Sequence, residues 1–251
     1  MWLHAERDGS GPRLVLVHGF TQTRRCWGPV ADDLASDHEI VRVDAPGHGR
    51  SADILAGLRG GGRLIADQGG EATYVGYSMG GRYLLHLALG NPELVRGLVL
   101  LGATAGIDDA DERAARAAQD QRTAARVREL GVLDFLHEWV AQPMFAGIPA
   151  ERQFLMERME NTVDGLESSL LQSGTGAQDP SWDRLHRLDM PVLVLAGELD
   201  AKFAALGERL QASIGENATF ATVPGAGHAA HLEQPEAFLS LLRPWLAEHG
   251  L

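Results

Sequence analysis

A serine set between two glycines, Gly76-Tyr77-Ser78-Met79-Gly80, follows the apolar run Thr73-Tyr74-Val75 and precedes the helix-like run Gly81 to Leu89. No other feature narrows the possible folds as much. Strand, sharp turn and helix in immediate succession lift the serine onto a strained corner at the carboxyl end of a buried strand. Side chains at the flanking positions would strike the neighbouring backbone there, which is why both are glycine. Five-residue patterns recur by chance, so the strand before and the helix after carry the functional reading against that of an ordinary serine in a glycine turn.

The rest of the chain repeats the alternation. Leu14-Val15-Leu16-Val17, Glu39-Ile40-Val41-Arg42-Val43, Ala72 to Val75, Leu98 to Leu101, Val192 to Leu195 and Ala218 to Val223 read as strands buried on both faces. Longer helical patterns between them predict an α/β fold with a mostly parallel sheet and helices on both faces. At 251 residues one domain is expected over 1–251, with its core in 1–104 and 179–251. Between about Ala105 and Gln178 the strand signal vanishes, and the acidic start Asp108-Asp109-Ala110-Asp111-Glu112 opens a long Ala/Arg-rich helix. That insert, 105–178, predicts a helical cap over the strand ends. Gly57 to Gly70, with Gly60-Gly61-Gly62 at its centre, predicts a weak or broken helix.

A serine needs a base before it can act as a nucleophile or a proton acceptor. Among 10 histidines, His228 stands out because it sits in Gly225-Ala226-Gly227-His228, just past the last strand. A loop histidine at the surface is the bland alternative, and His231 is the nearest competitor, expected to support the loop. Asp200, directly after the strand ending near Ala196, is the expected acid that orients the imidazole, with Glu198 as its rival. The order serine, aspartate, histidine is that of the α/β-hydrolase fold. His18-Gly19-Phe20 ends the first strong strand, so the backbone N–H groups of Phe20 and Met79 are the expected oxyanion-hole donors.

Charge and composition exclude several classes. A formal net charge of −12 argues against nucleic acid and against an anionic membrane surface, but not against a small anionic substrate met by local arginines. Cys26 is the only cysteine, so no internal disulfide can form and a reducing compartment fits. The opening Met1-Trp2-Leu3-His4-Ala5-Glu6-Arg7-Asp8 turns charged too early for a signal peptide, no run approaches a membrane span, and the cytoplasm is the expected address. No metal-ligand spacing and no nucleotide fingerprint is present, so no metal and no cofactor is expected. The chain could be a monomer or a small homo-oligomer.

The residues around the serine and in the cap resemble one family in particular. The points of likeness are Gly76-Tyr77-Ser78-Met79-Gly80-Gly81-Arg82, Glu112-Arg113-Ala114-Ala115-Arg116 with Asp120, and Trp139 before Gln142-Pro143-Met144-Phe145. Arg158, Gly174-Thr175-Gly176-Ala177-Gln178, Gly197 to Phe203 and Gly225 to His231 continue it. From Leu14 onward the chain resembles the 2-succinyl-6-hydroxy-2,4-cyclohexadiene-1-carboxylate synthases of menaquinone biosynthesis. The resemblance implies a lyase that eliminates pyruvate from a succinylated enolpyruvyl cyclohexene carboxylate. Its triad would abstract a ring proton rather than form an acyl-enzyme. By the same resemblance Arg82, Arg116 and Arg158 hold the carboxylates of a small polycarboxylate substrate, and Tyr77 and Trp139 line the pocket. Ala177 departs from the family's Gly-Thr-Gly-Gln-Gln, and the stretch before Thr73 lacks the usual acidic, leucine-rich helix.

The residues themselves support part of this. Arginine suits bidentate carboxylate binding, and Arg82 near the positive end of the helix after Ser78 is disfavoured until an anion arrives. Arg113 and Arg116 share a helix face with Asp120. With Arg122, Arg126 and Arg128 nearby, that face also reads as a solvated, ion-paired surface, and Trp139 alone would read as cap core. Two other functions stay open: a hydrolase acting on esters or on carbon–carbon bonds next to a ketone, with Ser78 as true nucleophile, and a ligand-binding protein on a retired hydrolase scaffold.

Overall fold

The computed structural model describes residues 2–251. In chain order it runs β1 (Ala5–Asp8), β2 (Arg13–Val17), α1 (Gly28–Leu34), β3 (Glu39–Val43), α2 (Leu58–Gly69), β4 (Ala72–Tyr77), α3 (Met79–Gly90) and β5 (Val95–Leu101). Then come α4 (Ala110–Val140), α5 (Leu155–Arg158), α6 (Val163–Ser173), β6 (Val192–Gly197), α7 (Ala201–Ile214), β7 (Ala218–Val223), α8 (Ala230–Glu233) and α9 (Pro235–His249). One sheet of order β1-β3-β2-β4-β5-β6-β7 joins all seven strands. β1 pairs antiparallel with β3, and every other pairing is parallel.

The central strands are apolar throughout because each face of the sheet meets its own core. Val15, Val17, Tyr74, Leu98, Leu100, Val192 and Val194 belong to one cluster. The alternate residues Leu14, Leu16, Val75, Val99, Leu101, Leu193 and Leu195 belong to the other. β7 departs from the expectation of two-sided burial. It lies at the sheet edge, where Thr219 and Thr222 are exposed and Phe220 and Ala221 only half-buried. β1 is the opposite edge, and its Ala-Glu-Arg-Asp sequence carries no strand pattern because an edge needs little beyond backbone pairing.

The weak or broken helix expected over Gly57 to Gly70 is corrected by α2, which is continuous from Leu58 to Gly69. The glycines there serve packing. A Cβ on Gly61 would fall 2.2 Å from Tyr83 Cε1, and one on Gly62 would fall 2.8 Å from the Tyr83 carbonyl oxygen and 3.2 Å from the Leu87 nitrogen. The low helix propensity is offset by the close approach of α2 to α3, the helix that begins right after Ser78.

Between β5 and β6 all regular structure is helical. α4 starts on the Asp109 side chain, which accepts from Glu112 N–H at 2.8 Å, and breaks its helical backbone at Gly131 (φ 72°). It packs on α6 through a small core of Ala124, Val127, Phe135, Leu166 and Leu170, joined from below by Phe20 and Trp139. Among the described residues no helix is long and apolar enough to cross a membrane.

Candidate active site

Ser78 stands at the junction of β4 and α3 with φ 50° and ψ −108°, a left-handed backbone that a non-glycine residue adopts only when its surroundings enforce it. Its N–H is fixed to Leu101 C=O at 2.8 Å. The flanking glycines are required by contact: a Cβ on Gly76 would lie 2.6 Å from Gly81 N, and one on Gly80 only 2.1 Å from Val17 O. Strand and helix therefore close against each other and the serine hydroxyl is left on top.

His228 and Asp200 meet that hydroxyl. His228 Nε2 lies 3.3 Å from Ser78 Oγ, and its Nδ1 lies 2.7 Å from Asp200 Oδ2. Asp200 also accepts from Phe203 N–H at 3.3 Å, capping α7. Burial alone would raise the Asp200 pKa, but the hydrogen bond and charge of His228, the Phe203 amide and Lys202 outweigh it and hold the carboxyl low. The rival Glu198 is turned away and accepts from Gly225 N–H instead. His231 is packed between Trp27 and Tyr77, with ring centroids 4.7 and 4.5 Å away, and burial presses its pKa down to about 3. It supports the loop as a neutral aromatic body.

The two expected oxyanion donors belong to residues that line the cavity at Ser78. Met79 opens α3, so its N–H has no intrahelical acceptor. Phe20 follows the turn at the end of β2, and its N–H makes no hydrogen bond among the described residues. Its neighbours are engaged: Gly19 N–H donates to Gln22 Oε1 and Thr21 N–H to His48 Nε2, each at 3.3 Å. Two buried histidines brace this loop. His18 joins Gly19 C=O at 2.8 Å and accepts from Ala45 N–H at 3.1 Å, and His48 joins Pro46 C=O at 3.0 Å. Burial keeps both neutral, with pKa values lowered to about 4 and about 3.

Above the serine opens a cavity of about 750 Å³ lined by Ser78, His228, Asp200, Phe20, Met79, Tyr77, Trp139, Arg82, Arg116 and Arg158. All the site residues expected from sequence thus come to one place. The arginines differ in how they are held. Arg116 is half-exposed and pairs with the buried Asp120 at 2.7 Å, one helical turn on, while Asp120 also accepts from Gly176 N–H at 3.0 Å. Arg82 is buried and donates to Ser173 C=O at 2.5 Å. Arg158 is buried, donates to Gln153 C=O at 2.8 Å and also bonds Thr21 Oγ1. Neither Arg82 nor Arg158 has a carboxylate partner among the described residues. Burial lowers both guanidinium pKa values, that of Arg82 to about 10 with help from the neighbouring Arg116 charge.

The other helix-face arginines are engaged with neighbours as the surface alternative predicts, although Arg122 and Arg126 also line the cavity. Arg113 caps backbone carbonyls of Ile107 and Asp108, Arg126 pairs with Glu129 and Glu138, and Arg128 pairs with Asp164 and Glu167. Trp139 packs against Phe20, Phe135 and Phe145, so it joins the core between α4 and α6 and also lines the cavity. Tyr77 lies under His228, ring centroids 5.4 Å apart.

Sequence reasoning missed several residues. Phe203 packs against the His228 ring, centroids 4.4 Å apart and planes tilted by 45°. Glu233, buried, accepts from Gly227 N–H at 2.7 Å and Ala229 N–H at 2.9 Å, gripping the chain on both sides of His228. Thr21 and Asn161 hold the Phe20 loop. Only Phe203 lay inside a motif, and the others act through tertiary contacts that leave no pattern in one sequence.

A serine on an elbow after a parallel strand, with aspartate and histidine after the last two strands and a helical segment above, defines the α/β hydrolases, and the alpha/beta hydrolase family model matches residues 14–241. Over 255 residues the chain is 33% identical to the 2-succinyl-6-hydroxy-2,4-cyclohexadiene-1-carboxylate synthase of Salmonella paratyphi C, covering 96% of this chain and 98% of that one. The chain belongs to that synthase family within the α/β hydrolases. Among solved structures it is similar to MenH from S. aureus, with TM-score 0.90 and 25% identity over 99% of both chains. It is also similar to a malate-bound thermophilic esterase from Thermogutta terrifontis, with TM-score 0.82 and 26% identity over 98% of this chain and 93% of that one. Among the described residues no three His, Cys, Asp or Glu side chains gather as a metal site.

Proposed function

We propose that this protein is a 2-succinyl-6-hydroxy-2,4-cyclohexadiene-1-carboxylate synthase, a lyase that removes pyruvate from a succinylated enolpyruvyl cyclohexene carboxylate. The observation that carries the reading is the pair of buried arginines, Arg82 and Arg158, lining the cavity with no carboxylate of their own. A buried, unpaired guanidinium is costly. In a chain of net charge −12, keeping two beside a reactive serine makes sense when the substrate brings the anions. Arg116 is the third member, half-exposed and steadied by Asp120.

The chemistry follows from the geometry. Asp200 holds the His228 ring by Nδ1 and stabilises the imidazolium. His228 Nε2 takes the proton of Ser78 Oγ as that oxygen takes the ring proton of the substrate. The electrons pass into the ring, the carbon–oxygen bond to the enolpyruvyl group breaks, and the proton now on His228 goes to the departing enolate, giving pyruvate and restoring the triad. Charge that develops on a carbonyl or carboxylate oxygen meets the N–H groups of Phe20 and Met79. Arg82, Arg116 and Arg158 fix the carboxylates so that the ring proton faces Ser78, while Tyr77 and Trp139 shape the apolar wall. In this reading 105–178 is the cap on a single domain whose core is 1–104 and 179–251. A cytoplasmic address accords with one buried, free cysteine, Cys26.

A second reading keeps the same triad for ester hydrolysis, and the likeness to a solved esterase favours it. Purified protein incubated with the enolpyruvyl substrate, beside a short-chain nitrophenyl ester, separates the two. Fast pyruvate release, weak esterase activity and loss of release in Ser78→Ala and Arg116→Ala support the lyase. Rapid ester turnover with no pyruvate makes the protein a lidded hydrolase.

A further inference from the structure

Thr21, the residue after Phe20, has φ 67° without being glycine. A threonine rests in the left-handed region only when neighbours hold it there, since its branched Cβ crowds the backbone. All three of its polar groups are held. Its N–H donates to His48 Nε2 at 3.3 Å, its C=O accepts from Asn161 Nδ2 at 2.7 Å, and its Oγ1 bonds Arg158. Asn161 uses its whole side-chain amide at this point: Nδ2 also donates to Arg158 C=O at 2.9 Å, and Oδ1 accepts from Gly49 N–H at 2.9 Å. Two of the three holds on Thr21 come from the 158–161 turn. That turn belongs to the segment inserted between β5 and β6, more than 130 residues from Thr21 along the chain.

Neither Thr21 nor Asn161 lines the cavity, whereas Phe20, Gln22 and Arg158 do. Thr21 and Asn161 are nonetheless fully buried or nearly so. Such a clamp has no outlet on the substrate except through the residues it orients. The one it orients most directly is Phe20, whose N–H is left unbonded between two engaged amides.

We propose that Asn161 is a positioning residue for the oxyanion hole: it reaches from the cap to lock Thr21 in its left-handed conformation and thereby fixes the direction of the Phe20 N–H. The inference rests on the assignment of Phe20 as a donor made under the proposed function, but not on the identity of the substrate. The cap then contributes to charge stabilisation at Ser78 without touching the reacting atoms. An oxyanion donor works only when it points in advance at the place where charge develops, and a misplacement of about 1 Å can cost about a hundredfold.

The test uses the full chain and two readouts. The first is steady-state pyruvate release. The second is phosphonylation of Ser78 by a small neutral fluorophosphonate, in which the Ser78 Oγ–phosphorus bond forms as fluoride leaves and the P=O oxygen occupies the oxyanion hole. Asn161→Ala is expected to lower kcat and the phosphonylation rate together by about tenfold or more, with KM within twofold of wild type. Thr21→Val keeps the shape of the side chain and removes only the Arg158 contact, and a smaller fall in both rates is expected. If Asn161→Ala does not fold, as judged by circular dichroism, Asn161→Asp decides in its place, since it keeps the acceptor for Gly49 N–H and loses the donation to Thr21 C=O. Wild-type phosphonylation rates in the folded variants overturn the proposal, and so does a raised KM with unchanged phosphonylation, which would make the clamp a device for ordering the substrate pocket. A wild-type enzyme that is phosphonylated yet never releases pyruvate removes the lyase reading while the phosphonylation comparison still judges Asn161.

Discussion

Replacing Arg82 by methionine is expected to move stability and activity in opposite directions. The guanidinium is buried and its pKa is held down to about 10 from 12.5, chiefly by desolvation and then by the Arg116 charge. Because the folded value is the lower one, the unfolded chain binds the proton more tightly, and below pH 10 the whole difference burdens the fold. At about 1.4 kcal/mol per decade the burden is about 3 kcal/mol at pH 7. Methionine fills a similar volume without charge, but it forfeits the hydrogen bond to Ser173 C=O, worth about 2 kcal/mol for a charged donor. The net gain is about 1 kcal/mol, or a rise in Tm of about 2 °C for a domain of this size. Activity should fall, because the substrate carboxylate loses a desolvated cation: about 3 kcal/mol, or roughly a hundredfold in kcat/KM. Thermal melts and pyruvate release on the same preparation measure both. A Tm lowered by several degrees with kcat/KM within threefold of wild type would mean that Arg82 is there to tie α3 to the Ser173 turn and that its burial serves no anion.

Three further outcomes follow from named contacts. On α2, Gly60→Ala should raise stability by about 0.5–1 kcal/mol, since its Cβ meets only Ala56 Cβ at 3.7 Å, whereas Gly62→Ala should lower it despite the better propensity; urea melts of the pair would show the opposite signs. Glu233→Gln leaves only one acceptor oxygen for two amides, those of Gly227 and Ala229, so a loss of about 1–3 kcal/mol in stability and a lower kcat are expected, and unchanged kinetics would free Glu233 from any part in holding His228. His18, His48, His86 and His231 have folded pKa values lowered by burial to about 4, 3, 4 and 3. Their contribution to stability is therefore complete above pH 6.5 and drains away as the pH falls towards 4, at up to about 1.4 kcal/mol per pH decade for each. Calorimetry at pH 5 should find protons taken up on unfolding, and stability flat from pH 7 to 4.5 would contradict the burial of neutral imidazoles.

The strands and the serine corner were legible because each is imposed locally. Leu14 to Val17 must be apolar on both faces in the middle of a parallel sheet, Gly76 is dictated by the Gly80-Gly81 backbone a few residues on, and Gly80 by the neighbouring strand at Val17, a contact that every such strand–turn–helix corner repeats. Asp200 and His228 were legible from chain order and from their places after strand ends. Edges were not: β1 is polar, and β7 is half-open, because an edge is defined by what lies beside it. α2 was misread for a related reason, since Gly61 and Gly62 answer to Tyr83 and Leu87 on another helix. The arginines were readable as a set but not sorted. Only tertiary structure separates Arg116, on Asp120, from Arg128, on Asp164 and Glu167 at the surface. Asn161 and Glu233 left no signal, because backbone amides and carbonyls are their partners and any sequence supplies those; Thr21 left none because its partners, His48, Asn161 and Arg158, lie far along the chain.

The decisive measurement is the mass of the ring product formed from the enolpyruvyl substrate in a single turnover. Elimination by Ser78, His228 and Asp200 gives pyruvate and a ring product one water lighter than the alcohol that hydrolysis would leave, with no covalent adduct on Ser78 at any time point, and with Ser78→Ala and His228→Ala inactive. A ring product that retains the elements of water, or an acylated Ser78 caught during turnover, would make this site a hydrolase and remove the role given to its arginines.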